Sequence, residues 1–228
     1  MKKINVLLVS LLICIASIDI LWFFFPELTL RRYALMLPIP VIILCYFLRV
    51  EVKNILYLSA LTAFMIGDYF FIIGEELEKG IASSAVGLSI YGVIVLKQSH
   101  YISTRRLLIN TIPFLLIYTV PFIFFIDQIN DDIFGEVVFY TFAVGSFSFM
   151  SILAYVSKKN AVTQKLLLAG ISTVCMGIAY GIYLFMGFNS IYNVLANTLF
   201  MYSNYKMWQY VIIKDSTTNE GEKESITL

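Results

Sequence analysis

Histidine occurs once in this 228-residue chain, at His100, and no HExxH or comparable ligand cluster accompanies it. The sequence therefore offers no imidazole-based metal centre, and no cofactor is implied. The three cysteines, Cys14, Cys45 and Cys175, lie inside apolar runs without a CxxC pair, so they read as small packing residues. Charge is equally scarce: 14% of residues are Asp, Glu, Lys or Arg, against roughly 25% in an ordinary soluble domain. With a net charge of +1 and no basic arm, nothing favours nucleic acid as a partner.

What the chain has instead is hydrophobicity, at 60% of residues and a mean hydropathy of +0.84. Its natural unit is the apolar span of about 20 residues. Lys2 and Lys3 precede an apolar run as in a signal peptide, but the run continues through Trp22-Phe23-Phe24-Phe25 without a small-residue cleavage pattern and reads as a first transmembrane helix. Eight spans are expected, at about 4–25, 33–49, 54–74, 81–102, 107–126, 134–157, 164–187 and 190–213. The fold class is thus an all-α polytopic membrane bundle, with antiparallel neighbours joined by short loops. Residues 1–213 form its single domain, and 214–228 (KDSTTNEGEKESITL) read as a disordered cytoplasmic tail. Neither barrel-type strand alternation nor a sequence repeat is visible.

With the N-terminus placed inside, thirteen of the sixteen lysines and arginines fall on or toward the inner face, and only Arg31, Arg32 and Lys79 lie outside. That asymmetry predicts an N-in, C-in topology. Small residues predict close helix contacts: Gly177 with Gly181, Ser83 with Gly87, and Gly145, Ser148 and Ser151. Pro38 and Pro40, and Pro113 and Pro121, are expected to kink or open their helices.

Within the run Ala63 to Ile73 stands one acid, Asp68. A carboxylate at that depth is costly, so it is expected to face protein or a wet cavity and to serve a function. Counting rise along each span places Asp19 at nearly the same level, in the outer half. The same layer receives Tyr118, Thr119, Tyr140, Thr141, Tyr180, Tyr183, Asn193 and Asn197. Asn193 and Asn197 share one helix face, which Asn204 continues inward. A polar-walled cavity is the functional reading of this layer, and interhelical bonding the plain one. His100 falls near the inner face, too far from Asp68 to pair with it. Lys97 and Lys206 are placed to reach the inner headgroups, and Trp22 and Trp208 read as interfacial.

Eight short-looped helices with Gly-Asp inside the third, prolines in the second and Asn and Tyr in the last resemble the YhhN-type lysoplasmalogenase family. The residues carrying the likeness are Leu37-Pro38-Ile39-Pro40, Ile66-Gly67-Asp68 and Gly87 to Tyr101. The family's lysine and serine ahead of these motifs are Leu37 and Phe64 here, and Met176-Gly177 occupy the place of a seventh-helix Ser-Asp. The resemblance implies a multi-pass protein of a cell membrane, the bacterial inner membrane being expected. It also implies hydrolysis of the vinyl ether of a lysolipid-like substrate drawn from membrane lipid. Such chemistry uses an acid to protonate the enol ether carbon and a carboxylate to stabilise the cation or activate water. Asp68 is expected to be catalytic, with Asp19 as second carboxylate. Tyr180, Asn193, Asn197 and Tyr118 are expected to bind substrate. The other readings are a non-enzymatic lipid-binding protein and a small proton-coupled transporter.

Overall fold

The computed structural model describes residues 2–25, 27, 29–96, 119, 123–124, 126–187 and 189–226, with side chains from Lys3 to Asp215. Among these residues there is no strand. Helix α1 spans Lys2–Phe24, α2 Leu30–Leu35, α3 Pro38–Phe47 and α4 Ile55–Tyr69. Helix α5 covers Leu77–Leu96, α6 Phe134–Ser157, α7 Ala161–Phe185 and α8 Ile191–Ile226. Among the described residues, six helical segments are long and apolar enough to cross a membrane: Lys3–Phe24, Leu30–Phe47, Ile55–Gly74, Leu77–Leu96, Asp131–Ser157 and Ala161–Phe185. They present Val6, Ile13, Phe24, Ile55 and Phe142 outward, as lipid-facing helices of a multi-pass protein require. The span read at 107–126 lies mostly outside the described residues, and Tyr118 and His100 lie wholly outside them.

The span expected at 190–213 is the first part of α8, whose helical backbone continues to Ile226. Its asparagines and serines lower its hydropathy because they are used inside the bundle: Ser203 and Asn204 are buried, as are Met207, Trp208 and Val211. Helices α4 to α8 pack in sequence, each on the next, and α3 touches both α4 and α8, closing the ring. Helix α1 packs on α2, α3 and α8 outside it.

The second expected span is two helices. Its break falls at Met36-Leu37, whose N–H groups donate to Tyr33 and Ala34 carbonyls at 3.3 and 3.1 Å. Pro38 then opens α3, where its missing N–H costs nothing. Asn54 caps α4 by accepting from the Tyr57 N–H at 3.2 Å. Helix α4 does not stop at Tyr69 but widens into a π-helical turn, Phe70–Gly74, which ends at Glu75 in the left-handed region at φ 55°. A π turn leaves carbonyls off the regular ladder, and such turns gather at functional sites.

Close helix approach occurs near the expected small residues and at others. A Cβ on Gly67 would lie 2.6 Å from Ser84 Oγ and 3.2 Å from the Gly80 carbonyl. Gly67 thus lets α5 lie against α4 directly beside Asp68. Gly67→Ala is expected to lower stability by about 1–3 kcal/mol, with partial recovery in Gly67→Ala/Ser84→Ala, read from thermal unfolding in detergent. Gly170 similarly admits Ser148 and Ser151, and Ser148 Oγ donates to its carbonyl at 2.9 Å. Gly177 makes only ordinary contact with Val144, and its face borders a cavity.

At the bundle end that holds Asn54, aromatic rings fill the core. Tyr46 and Tyr57 meet edge to face at 5.0 Å, Tyr57 stacks on Tyr91 at 6.0 Å, and Tyr91 packs on Phe64 and Phe147. Tyr46 ties this core to α8 by donating to Asp215 Oδ2 at 2.8 Å while accepting from the Asn54 N–H at 2.8 Å. Burial holds the Asp215 carboxyl above the ordinary value of 3.8, against the opposing bonds from Tyr46 and Asn54 and the nearby Lys214 charge. A raised folded value favours the protonated form, so this group's contribution is fullest below the ordinary carboxyl range. It is lost as pH rises from there through the folded value. Asp215→Asn is expected to remove that part of the decline in a pH series of unfolding midpoints.

Candidate functional site

Two cavities meet at Asp68. The larger, about 560 Å³, opens at the bundle end formed by α2, the π turn and the start of α8. Its polar lining includes Arg31, Arg32, Asp68, Tyr180, Asn193 and Asn197. The smaller, about 140 Å³, lies inside the α4–α8 ring and is walled chiefly by apolar groups such as Phe64, Leu88, Val144 and Met176. Asp68, Phe71, Tyr180, Leu184, Asn197 and Phe200 border both. The carboxyl therefore stands where a polar chamber joins an apolar one.

The position of Asp68 follows from its helix. It lies one residue past Gly67, where α5 comes close, and two before the π turn, so its backbone is fixed on one side and reshaped on the other. Its Oδ2 is buried and has no hydrogen-bond partner among the described residues. A buried polar oxygen left unbonded costs about 1–3 kcal/mol, and uncompensated strain of this kind collects at sites of function.

Asp19 has the opposite environment. It is fully buried, at 0% exposure, and both oxygens are engaged. Oδ1 accepts from Arg31 Nε at 2.7 Å and Oδ2 from Asn197 Nδ2 at 3.0 Å. Arg31 Nη2 also donates to Asn193 Oδ1, which accepts from Asn197 Nδ2 at 3.1 Å. The guanidinium lies 3.8 Å from the Trp22 ring centre, a cation–π contact. Trp22 is thus part of the site wall, not only a belt residue. The Asp19 carboxylate is the counter-ion of Arg31, and Asn193 and Asn197 complete a network that fixes both.

The expected polar layer is therefore assembled in large part. Asp68, Tyr180, Asn193 and Asn197 border the larger chamber, joined by Tyr183. Tyr140 and Thr141 border the smaller one, as does Asn204, which accepts from Tyr91 Oη at 2.8 Å. The residues missed were Arg31 and Arg32, counted from sequence only as outer-face charges. Their signal was a pair of arginines just ahead of a proline-started helix, twelve residues after a buried acid. Arg32 bonds the π turn, donating from Nε to the Ile72 carbonyl at 2.6 Å and from Nη2 to Glu75 Oε1 at 2.9 Å. Among the described residues no three His, Cys, Asp or Glu side chains cluster as metal ligands.

Chemically, the site offers at a polar–apolar boundary a carboxyl whose Oδ2 has no hydrogen-bond partner among the described residues, with a fixed guanidinium and several neutral donors. No family model, curated protein or solved structure matches the chain.

Proposed function

We propose that this chain is an integral membrane hydrolase that cleaves the vinyl ether of a lysolipid-like amphiphile, as its likeness to YhhN-type lysoplasmalogenases implies. The observation that carries the reading is the place of Asp68, whose buried Oδ2 has no hydrogen-bond partner among the described residues, at the junction of a polar and an apolar chamber. An amphiphile with a polar head in one and a single chain in the other sets its ether linkage beside that carboxyl.

The reaction needs no second free carboxylate. Asp68 gives its proton to the enol ether carbon remote from oxygen, leaving an oxocarbenium ion. Its carboxylate then takes a proton from the water that adds at the carbon bearing oxygen. The hemiacetal so formed collapses to an aldehyde and a glycerol-type alcohol, and one water is consumed overall. Tyr180 and Asn197 line the substrate's path, and Asp19 acts through Arg31. The chamber mouth is assigned to the outer face by the excess of Lys and Arg toward the other.

Purified protein is expected to release fatty aldehyde from a lysoplasmalogen and none from the saturated alkyl ether of the same headgroup. The absence of aldehyde under conditions where the lipid binds overturns the reading. It would leave the second one, a lipid-binding protein without hydrolase activity, which is favoured by the consumption of Asp19 in an ion pair.

A further inference from the structure

We infer that Arg31 is the anchor for a phosphate or phosphate-ester anion in the larger chamber. The fold commits a great deal to holding this one side chain still. A fully buried carboxylate takes Nε, Asn193 takes one Nη2 hydrogen, and the Trp22 ring covers one face of the plane. The carboxylate is itself held by Asn197 at 3.0 Å. A surface ion pair needs none of this, and Arg31 is no surface residue, with its side chain 17% exposed.

Those bonds leave the Nη1 amino group without a protein partner among the described residues, on a guanidinium that borders the chamber. A planar fork with its orientation already fixed and one edge unused suits a tetrahedral oxyanion, because little side-chain freedom is left to lose on binding. Arg32 borders the same chamber but serves differently. Its guanidinium clasps the Ile72 carbonyl and Glu75, which holds α2 against the π turn and keeps the mouth in shape. The other acid of the chamber, Asp68, stands where the apolar cavity begins. An anion at Arg31 therefore directs the attached chain past Asp68 into the ring. Asp19 becomes a positioning residue whose task is the orientation of Arg31.

The inference rests on the proposed lysolipid reading for the identity of the attached chain, and the anion site itself does not. Its test uses ligands that cannot be hydrolysed. Full-length protein in detergent is titrated with a saturated single-chain alkyl glycerophosphate and with the uncharged alkylglycerol of the same chain, by calorimetry. The phosphate ester is expected to bind about ten- to a hundredfold more tightly. Arg31→Gln alone strands the Asp19 charge, so the decisive variant is Asp19→Asn/Arg31→Gln, which removes both charges together. It is expected to bind the two lipids equally while keeping its affinity for the uncharged one. Arg31→Lys, which keeps the charge but not the fork, is expected to retain part of the preference. Inorganic phosphate that displaces the ester marks free phosphate as a ligand, and its failure to do so marks the lipid headgroup. Equal binding of both lipids by the wild type, an undiminished preference in the double variant, or tighter binding of a cationic amphiphile overturns the assignment. None of these outcomes depends on aldehyde release, so the anion site and the hydrolase reading fail separately.

Discussion

Asp68→Asn in the purified protein is expected to lower aldehyde release from a lysoplasmalogen by about two to four orders of magnitude, the range of a positioned general acid–base. The amide has nearly the carboxyl's shape but no proton acidic enough for carbon, and it cannot draw a proton from water. The same change is expected to leave the fold intact or make it firmer. Asp68 Oδ2 has no bond to lose among the described residues, and its buried carboxyl is an expense to the folded state. Activity and stability should therefore move in opposite directions, which separates a lost reaction from lost structure. Asp68→Glu keeps the acid but carries it one methylene further along the chamber wall. A displacement of about 1 Å can cost about a hundredfold, so partial activity is expected. The measurements are aldehyde release and the unfolding midpoint of each variant in one detergent. Undiminished release from Asp68→Asn rules out this carboxyl as the acid.

Much of this site could be seen in the sequence, because depth in a membrane is legible from span ends and helical rise. Asp19, Asp68, Tyr180, Asn193 and Asn197 were placed on one level by counting residues, and the structure brings all five to one chamber or its wall. The shared face of Asn193 and Asn197 was likewise a matter of four-residue spacing, and their side chains bond at 3.1 Å. What counting could not supply was lateral: which helices adjoin, and which charge turns toward which. Asp68 and Asp19 read as a first and a second carboxylate of one site, yet Asp19 has both oxygens bonded while Asp68 Oδ2 has no partner among the described residues, and much of that difference is Arg31. Nothing in the local sequence of Arg31 shows that a short helix folds it back over the end of α1. The prolines signal a kink or opening in this span, but not that the break falls at Met36-Leu37, ahead of Pro38, and divides it into two helices. The π turn after Asp68 was also hidden, since Phe70-Phe71-Ile72-Ile73 suits a regular helix equally well.

The largest effect on stability is expected from Arg31→Gln, at about 3–5 kcal/mol, the usual cost of leaving one member of a buried ion pair behind. Asp19 is at 0% exposure on α1, which packs on α8, so its carboxylate depends on the guanidinium and Asn197 for its bonds. The reciprocal change, Asp19→Asn, is expected to cost less. The Arg31 side chain is 17% exposed and borders a chamber of about 560 Å³, so solvent there can rehydrate it. The amide also keeps an acceptor for Nε, although it cannot hold Asn197 and Arg31 with equal strength. In the double variant Asp19→Asn/Arg31→Gln no charge is stranded, and two amides occupy the space of the pair. It is expected to be more stable than Arg31→Gln alone, giving a coupling of more than about 1 kcal/mol in a double-mutant cycle. Additive effects of the two changes would mean that Asp19 and Arg31 do not depend on each other. The stability that the double variant recovers over Arg31→Gln is also what makes it the fairer test of headgroup binding, since it removes the anchor without stranding its buried counter-ion.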